Sequence, residues 1–175
     1  MKHIKKLSGI ILLTMLLSAS VYAKGNGQVD FADLSAHYGE PMVEVNLTAN
    51  LMNMIGSFAK SEEPEVAEML ANLDYVKVRI YSLNGEADEA NHTIDGLSKK
   101  LKADNWETLV TVNDYEEDKN VRVFSKSSND IIDGFVVMVV SPEKDGGEAI
   151  FVNIVGSIDP SQIAMITENL DIDFN

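Results

Sequence analysis

Four extended apolar segments follow one another between Trp106 and Ile158, and their spacing constrains the fold of this 175-residue chain more than any other feature. They occupy 106–113, 120–126, 131–141 and 148–158. The connections, 115–119, 127–130 and 142–147, are short and polar, as hairpin turns are. Consecutive strands joined by links that short pair antiparallel, which predicts a four-stranded meander. The third segment contains the run Phe135-Val-Val-Met-Val-Val140 without a polar residue. Such a run suits a central strand covered on both faces.

A fifth strand is expected at 75–83. Val76, Val78 and Ile80 face one way there, and Lys77, Arg79 and Tyr81 the other. Asn84-Gly85 turns the chain into a helix over 88–103. Ala90, Ile94, Leu97 and Leu101 recur at spacings of 4, 3 and 4, a single seam toward a core. That helix is the crossover into the meander, expected to be right-handed.

Upstream, Asp30 caps a short helix reaching Tyr38, with Phe31 and Leu34 on one side. Val43, Val45 and Leu47 alternate with polar residues in a short extended piece. A helix capped by Thr48 then reaches Ala59, and Leu51, Met54, Ile55 and Phe58 form its apolar face. A second helix begins at Ser61, with Glu63, Pro64 and Glu65 in its first turn. Acids there suit the positive end of the helix dipole. Downstream, Asp159 and Pro160 open a last helix, as N-cap and first helical residue, with Ile163, Ile166 and Leu170 on its buried face. The order is helices, strand, helix, four-strand meander, helix. It predicts an α+β domain: one mostly antiparallel five-stranded sheet with helices packed on one face.

The N-terminus reads as an export signal. Lys2, Lys5 and Lys6 precede an apolar stretch over 7–17, and small residues follow, with Val21 and Ala23 where a signal peptidase reads. The apolar stretch is shorter than the ~20 residues a bilayer core requires. The chain therefore divides into a signal peptide over 1–23, a leader and short helix over 24–40, and a single domain over 41–175. Residues 24–29, rich in glycine, are expected to be a flexible leader. The expected product is periplasmic or secreted. It has no stable membrane anchor, because there is no cysteine for lipid attachment.

Charge bears on partners. The chain carries 28 acids against 14 Lys+Arg, a net charge of −14. Removal of 1–23 takes three lysines and no acid, which leaves 11 cations against 28 acids, or −17. A field of that sign disfavours nucleic acid and anionic membranes. Without cysteine there is no disulfide and no thiol chemistry, so stability must come from packing.

Several stretches resemble the domain-of-unknown-function 4252 family, small bacterial proteins that commonly carry an export signal. They are Val45-Asn-Leu47 leading into Leu51-Met-Asn-Met54, Val76-Lys-Val-Arg-Ile-Tyr81, and Trp106-Glu-Thr-Leu-Val-Thr-Val112. Val121-Arg-Val-Phe-Ser-Lys126, Ile132-Asp-Gly-Phe-Val-Val-Met-Val139 and Val152-Asn-Ile-Val-Gly-Ser-Ile-Asp-Pro160 complete the set. The resemblance implies the architecture and export. It carries no functional residue across.

Motifs for catalysis are missing. A Ser-His-Asp set needs a histidine base, and His37 and His92 lie in no such pattern; there is no G-x-S-x-G elbow. Zinc needs three or four ligands that this composition does not group. Two acidic runs, Asp114-Tyr-Glu-Glu-Asp118 and Asp171-Ile-Asp-Phe-Asn175, offer oxygen to calcium without the spacing of a calcium loop, and read as solvated charge. Gly146-Gly147 lies in a hairpin turn, not in a phosphate loop. Met52, Met54, Met69, Met138 and Met165 sit on apolar faces and read as core. Neither a cofactor nor a metal is therefore expected. One set stands out: Lys77, Arg79 and Tyr81 on one strand face and Arg122 on another, expected together on the outer side of the sheet. They form a candidate site for an acidic or carboxylate-bearing partner. The expected function is a non-enzymatic binding or interaction module of the cell envelope with a protein partner. A carboxylate-based hydrolase is the alternative.

Overall fold

The computed structural model describes residues 27–31, 33–114, 119–129, 131–143 and 146–159. The signal segment, the acidic runs at 115–118 and 171–175 and the last helix expected after Asp159 lie outside them. Among the described residues the order is α1 (Leu34–Tyr38), β1 (Val43–Thr48), α2 (Ala49–Ala59), α3 (Pro64–Ala71), β2 (Leu73–Ser82), α4 (Ala87–Ala103), β3 (Glu107–Asp114), β4 (Lys119–Ser128), β5 (Ile131–Ser141) and β6 (Glu148–Ile158). The strands form one antiparallel sheet in the order β1-β2-β6-β5-β4-β3.

The meander stands as expected, and the α+β class with it. The sheet has six strands, not five. The extra strand is the short extended piece at 43–48, which pairs with β2 from Val43↔Ile80 to Thr48↔Tyr75. Its partner lies some thirty residues downstream, so nothing local in the chain marks it as part of the sheet.

The helices do not pack on one face. Two apolar clusters flank the sheet. On one face α1 and α4 cover Tyr81, Phe124, Val136, Met138, Ala149 and Phe151. On the other, Met52 of α2 and Met69 and Leu70 of α3 join Val123, Val137, Val152 and Ile154. Both faces are therefore interior over β5 and β6. That is why every residue from Phe135 to Val140 is buried.

The seam of α4 packs as its spacing predicts: Ala90, Ile94 and Leu101 are buried. The helix ends in a left-handed residue, Asn105, with φ 62°. The Asn105 N–H donates to the Lys102 carbonyl at 3.2 Å, and the Trp106 N–H donates to that of Leu101 at 3.0 Å. These two bonds close the helix in a Schellman motif and fold Trp106 back under Leu101 into the core. A bulge between Thr108 and Val110 then breaks the alternation of β3. Val110 and Val112 join the α2–α3 side, while Trp106 stays on the α4 side.

The leader is not loose over 27–31. Asn153, fully buried in β6, accepts from the Val29 N–H at 2.9 Å and donates to the Gly27 carbonyl at 3.0 Å. It also donates to the Phe135 carbonyl at 3.2 Å. Gly27 lies against Gly134, where a Cβ on either residue would overlap the other backbone. Phe31 and Leu34 follow into the core.

Candidate functional site

The four residues singled out in the sequence share one face of the sheet, yet do not make one patch. Arg79, Phe151, Met138 and Arg122 stand in a single row across β2, β6, β5 and β4. Strands lie about 4.8 Å apart, so three steps separate the two guanidinium-bearing positions by roughly 14 Å. Buried Phe151 and Met138 lie between them.

Each arginine is already engaged. Arg79 pairs with Glu44 at 2.6 Å and donates to the Asn46 side chain at 3.3 Å. Arg122 donates to the Asn113 side chain at 2.8 Å and the Val112 carbonyl at 3.0 Å, with Asp95 of α4 at 3.9 Å. Lys77 lies 5.7 Å from the centre of the Tyr75 ring. Tyr81 is not on an outer face: it is fully buried, stacked on Tyr38 at 5.0 Å. Its strand face is outward near β1 and interior where α1 covers it.

A cleft of about 300 Å³ opens between α1 and α4. It gathers both His37 and His92, which are 55 positions apart and which no sequence spacing connects. Glu89, Thr93 and Leu97 line it as well. The Asp33 and Lys100 side chains approach to 3.5 Å at its rim. The Thr93 hydroxyl is used within the helix, donating to the Glu89 carbonyl at 3.0 Å. Among the described residues no three histidines or carboxylates stand together as metal ligands.

Beside this cleft, the Tyr38 hydroxyl donates to the Ala90 carbonyl at 3.2 Å. Burial pushes its pKa from 10.0 up to about 12, the nearby Thr93 hydroxyl works against that, and Glu89 and Tyr81 add to it. The unfolded phenol loses its proton near 10 while the folded one keeps it. Above pH 10 the unfolded state thus binds fewer protons, and stability falls as pH rises toward 12. Below pH 10 the contribution is complete. We expect Tyr38→Phe to flatten this loss in urea titrations between pH 9 and 12. A variant curve parallel to that of the parent would remove Tyr38 as its source.

The largest departure from expectation is α2. Met54, on its apolar stripe, is expected in the core from the sequence. Instead Met52 and Gly56 are buried, with Ala49 and Ala59 partly buried on the same side. A Cβ on Gly56 would stand 3.2 Å from the Ala67 carbonyl, so α2 and α3 approach closely there. Helical geometry then turns 54, 55 and 58 away from that seam, while Leu51 stays half-buried. Met54 is 54%, Ile55 41% and Phe58 79% exposed. No residue of α2 is charged. Met42 and Val43, at the start of edge strand β1, are exposed too. Between the two helices runs a groove of about 460 Å³, lined by Asn53, Ser57 and Lys60 from α2 and its turn and by Ala67, Glu68 and Ala71 from α3.

A sound surface helix puts charge outward and large apolar groups inward. Here Met52 packs inward among small residues, Ala49, Gly56 and Ala59, while Met54, Ile55 and Phe58 meet solvent. This arrangement suits contact with another macromolecule. Sequence reasoning found the stripe but read its Met54 as core, and Met54 is exposed. The signal was the total lack of charge in the helix, whose only polar side chains are Asn50, Asn53 and Ser57.

No curated protein matches the chain. The model of the family described as a domain of unknown function, DUF4252, matches residues 37–166, about three quarters of the sequence and all six strands of the sheet just described, and the chain belongs to that family.

Proposed function

We propose that this protein is an exported, non-enzymatic binding module of the cell envelope, and that it engages a protein partner through the outward face of α2. The observation that carries the reading is the exposure of Met54, Ile55 and Phe58 on a helix without charge. Burying one such side chain is worth about 1.5–3 kcal/mol, so a partner covering three gains several kcal/mol. Export rests on the basic, apolar and small-residue order of 1–23.

The absence of cysteine supplies a clean test. Phe58→Cys creates a unique thiol, and Lys99→Cys on exposed α4 a control. We expect a thiol-reactive crosslinker to join position 58, not position 99, to a second protein in intact producing cells. Adducts at neither position, or equally at both, overturn the reading. Export is checked by the mass of the protein in the osmotic-shock fluid or medium. A chain starting near Lys24 is expected, and a full-length chain confined to the cytoplasm would remove the export claim.

A further inference from the structure

We infer that the partner segment on α2 is a basic amphipathic stretch of polypeptide, an inference that rests on α2 being the contact surface. The charge around the stripe is one-sided. Between residues 40 and 74 there are seven acids, Glu40, Glu44, Glu62, Glu63, Glu65, Glu68 and Asp74, against the single Lys60. All seven acids are exposed. Only Glu44 is paired, with Arg79; Glu62, Glu63, Glu65 and Glu68 have no ion pair among the described residues.

Four of them follow the stripe directly in the chain, on the turn and on α3. Glu62 and Glu63 sit in the turn directly after α2, where both their N–H groups donate to the Ala59 carbonyl. Glu65 and Glu68 lie on α3, and Glu68 lines the groove between the helices. An apolar strip on a helix pair this rich in unpaired carboxylates is complementary to a segment with Leu- or Phe-like groups on one side and Lys or Arg beside them. Exposed Met42 and Met54 suit such a partner, since the flexible thioether adapts to irregular apolar shapes. The same charge disfavours the other occupants. A second copy would set carboxylates against carboxylates. An anionic membrane would be repelled. The chain's own 160–175 segment, with Glu168, Asp171 and Asp173 and no cation, has the wrong sign.

The test uses the protein isolated from producing cells and two synthetic 18-residue amphipathic peptides, one of leucine and lysine, the other of leucine and glutamate. We expect the lysine peptide to bind and the glutamate peptide not to. Phe58→Asp should weaken binding by about tenfold or more, the scale of a lost apolar anchor. Changing Glu62, Glu63, Glu65 and Glu68 together to Gln should weaken it and reduce its salt dependence. Asp88→Asn with Asp95→Asn, on α4, should change neither. Lysine-peptide binding that survives Phe58→Asp unchanged is general charge attraction and overturns the inference. So does equal binding of the glutamate peptide, Phe58-dependent attachment to phosphatidylcholine vesicles, or self-association in sedimentation that Phe58→Asp abolishes. The two claims fail separately. Crosslinks at position 58 that map to an acidic or neutral partner segment refute the basic partner and leave the contact surface in place.

Discussion

Phe151→Ala is expected to cost about 3–5 kcal/mol, the range for emptying a fully buried phenylalanine site. Phe151 in β6 has no exposure to solvent. Its ring centre lies 5.9 Å from that of Phe31, 5.7 Å from Tyr38 and 6.1 Å from Tyr81. These three come from the leader, α1 and β2, so the one side chain ties the N-terminal stretch to the sheet. Tilted and edge-on ring contacts of this kind add about 0.5–1.5 kcal/mol each beyond burial. The strands around the site are fixed by sheet hydrogen bonds, which limits collapse into the cavity. For a chain of this size the loss corresponds to a fall in Tm of roughly 6–20 °C. Guanidinium unfolding checks it: the midpoint should drop with the slope unchanged. A loss below about 1 kcal/mol would show that the neighbouring rings refill the space. Phe58→Ala is the matched control. The same deletion on the outward face of α2 should stay within about 0.5 kcal/mol.

That contrast between two phenylalanines marks where the sequence was readable. Alternation along β2 correctly separates Val76, Val78 and Ile80 from Lys77, Arg79 and Tyr81. A period of two says which residues share a face, and it cannot say which face is interior when both are covered. Tyr81 was therefore placed outside with Lys77 and Arg79, although α1 and Phe151 enclose it. The helical period has the same limit in α2. Residues 49, 52, 56 and 59 are as periodic as 51, 54, 55 and 58, and the smaller set won the interior because α3 requires close approach at Gly56. The seam of α4 had no such rival, since its large apolar residues, Ile94, Leu97 and Leu101, all lie on it, and it was read correctly.

The candidate site was legible in its residues and not in its orientation. Nothing in the chain brings α1 to α4, so the meeting of His37 and His92 came only from the fold. The leader was misread because glycine-rich sequence looks loose. Gly27 and Gly134 are instead the two residues small enough to let one backbone cross another. One local signal existed. Asn153 is the only polar residue between Phe151 and Val155, and a polar group in such a run needs partners when buried.

That asparagine gives the second large effect. Asn153→Leu keeps the volume and removes the bonds to the Val29 N–H and the Gly27 and Phe135 carbonyls. Each buried backbone group left unpaired costs about 1–3 kcal/mol. The leader escapes part of that cost by detaching into water, which then uncovers Phe31 and Leu34. The net loss is expected at about 2–4 kcal/mol, with faster hydrogen exchange and protease cleavage confined first to 27–34. Gly134→Ala attacks the same docking from the other side. Its methyl would overlap the Gly27 backbone and lie 2.7 Å from the Trp106 ring. Both substitutions act by expelling one segment, and a segment can be expelled only once. The double variant should therefore cost about as much as the worse single variant, well short of their sum. Additive losses would show that the leader does not dock as a unit, and that Asn153 and Gly134 stabilise the sheet independently.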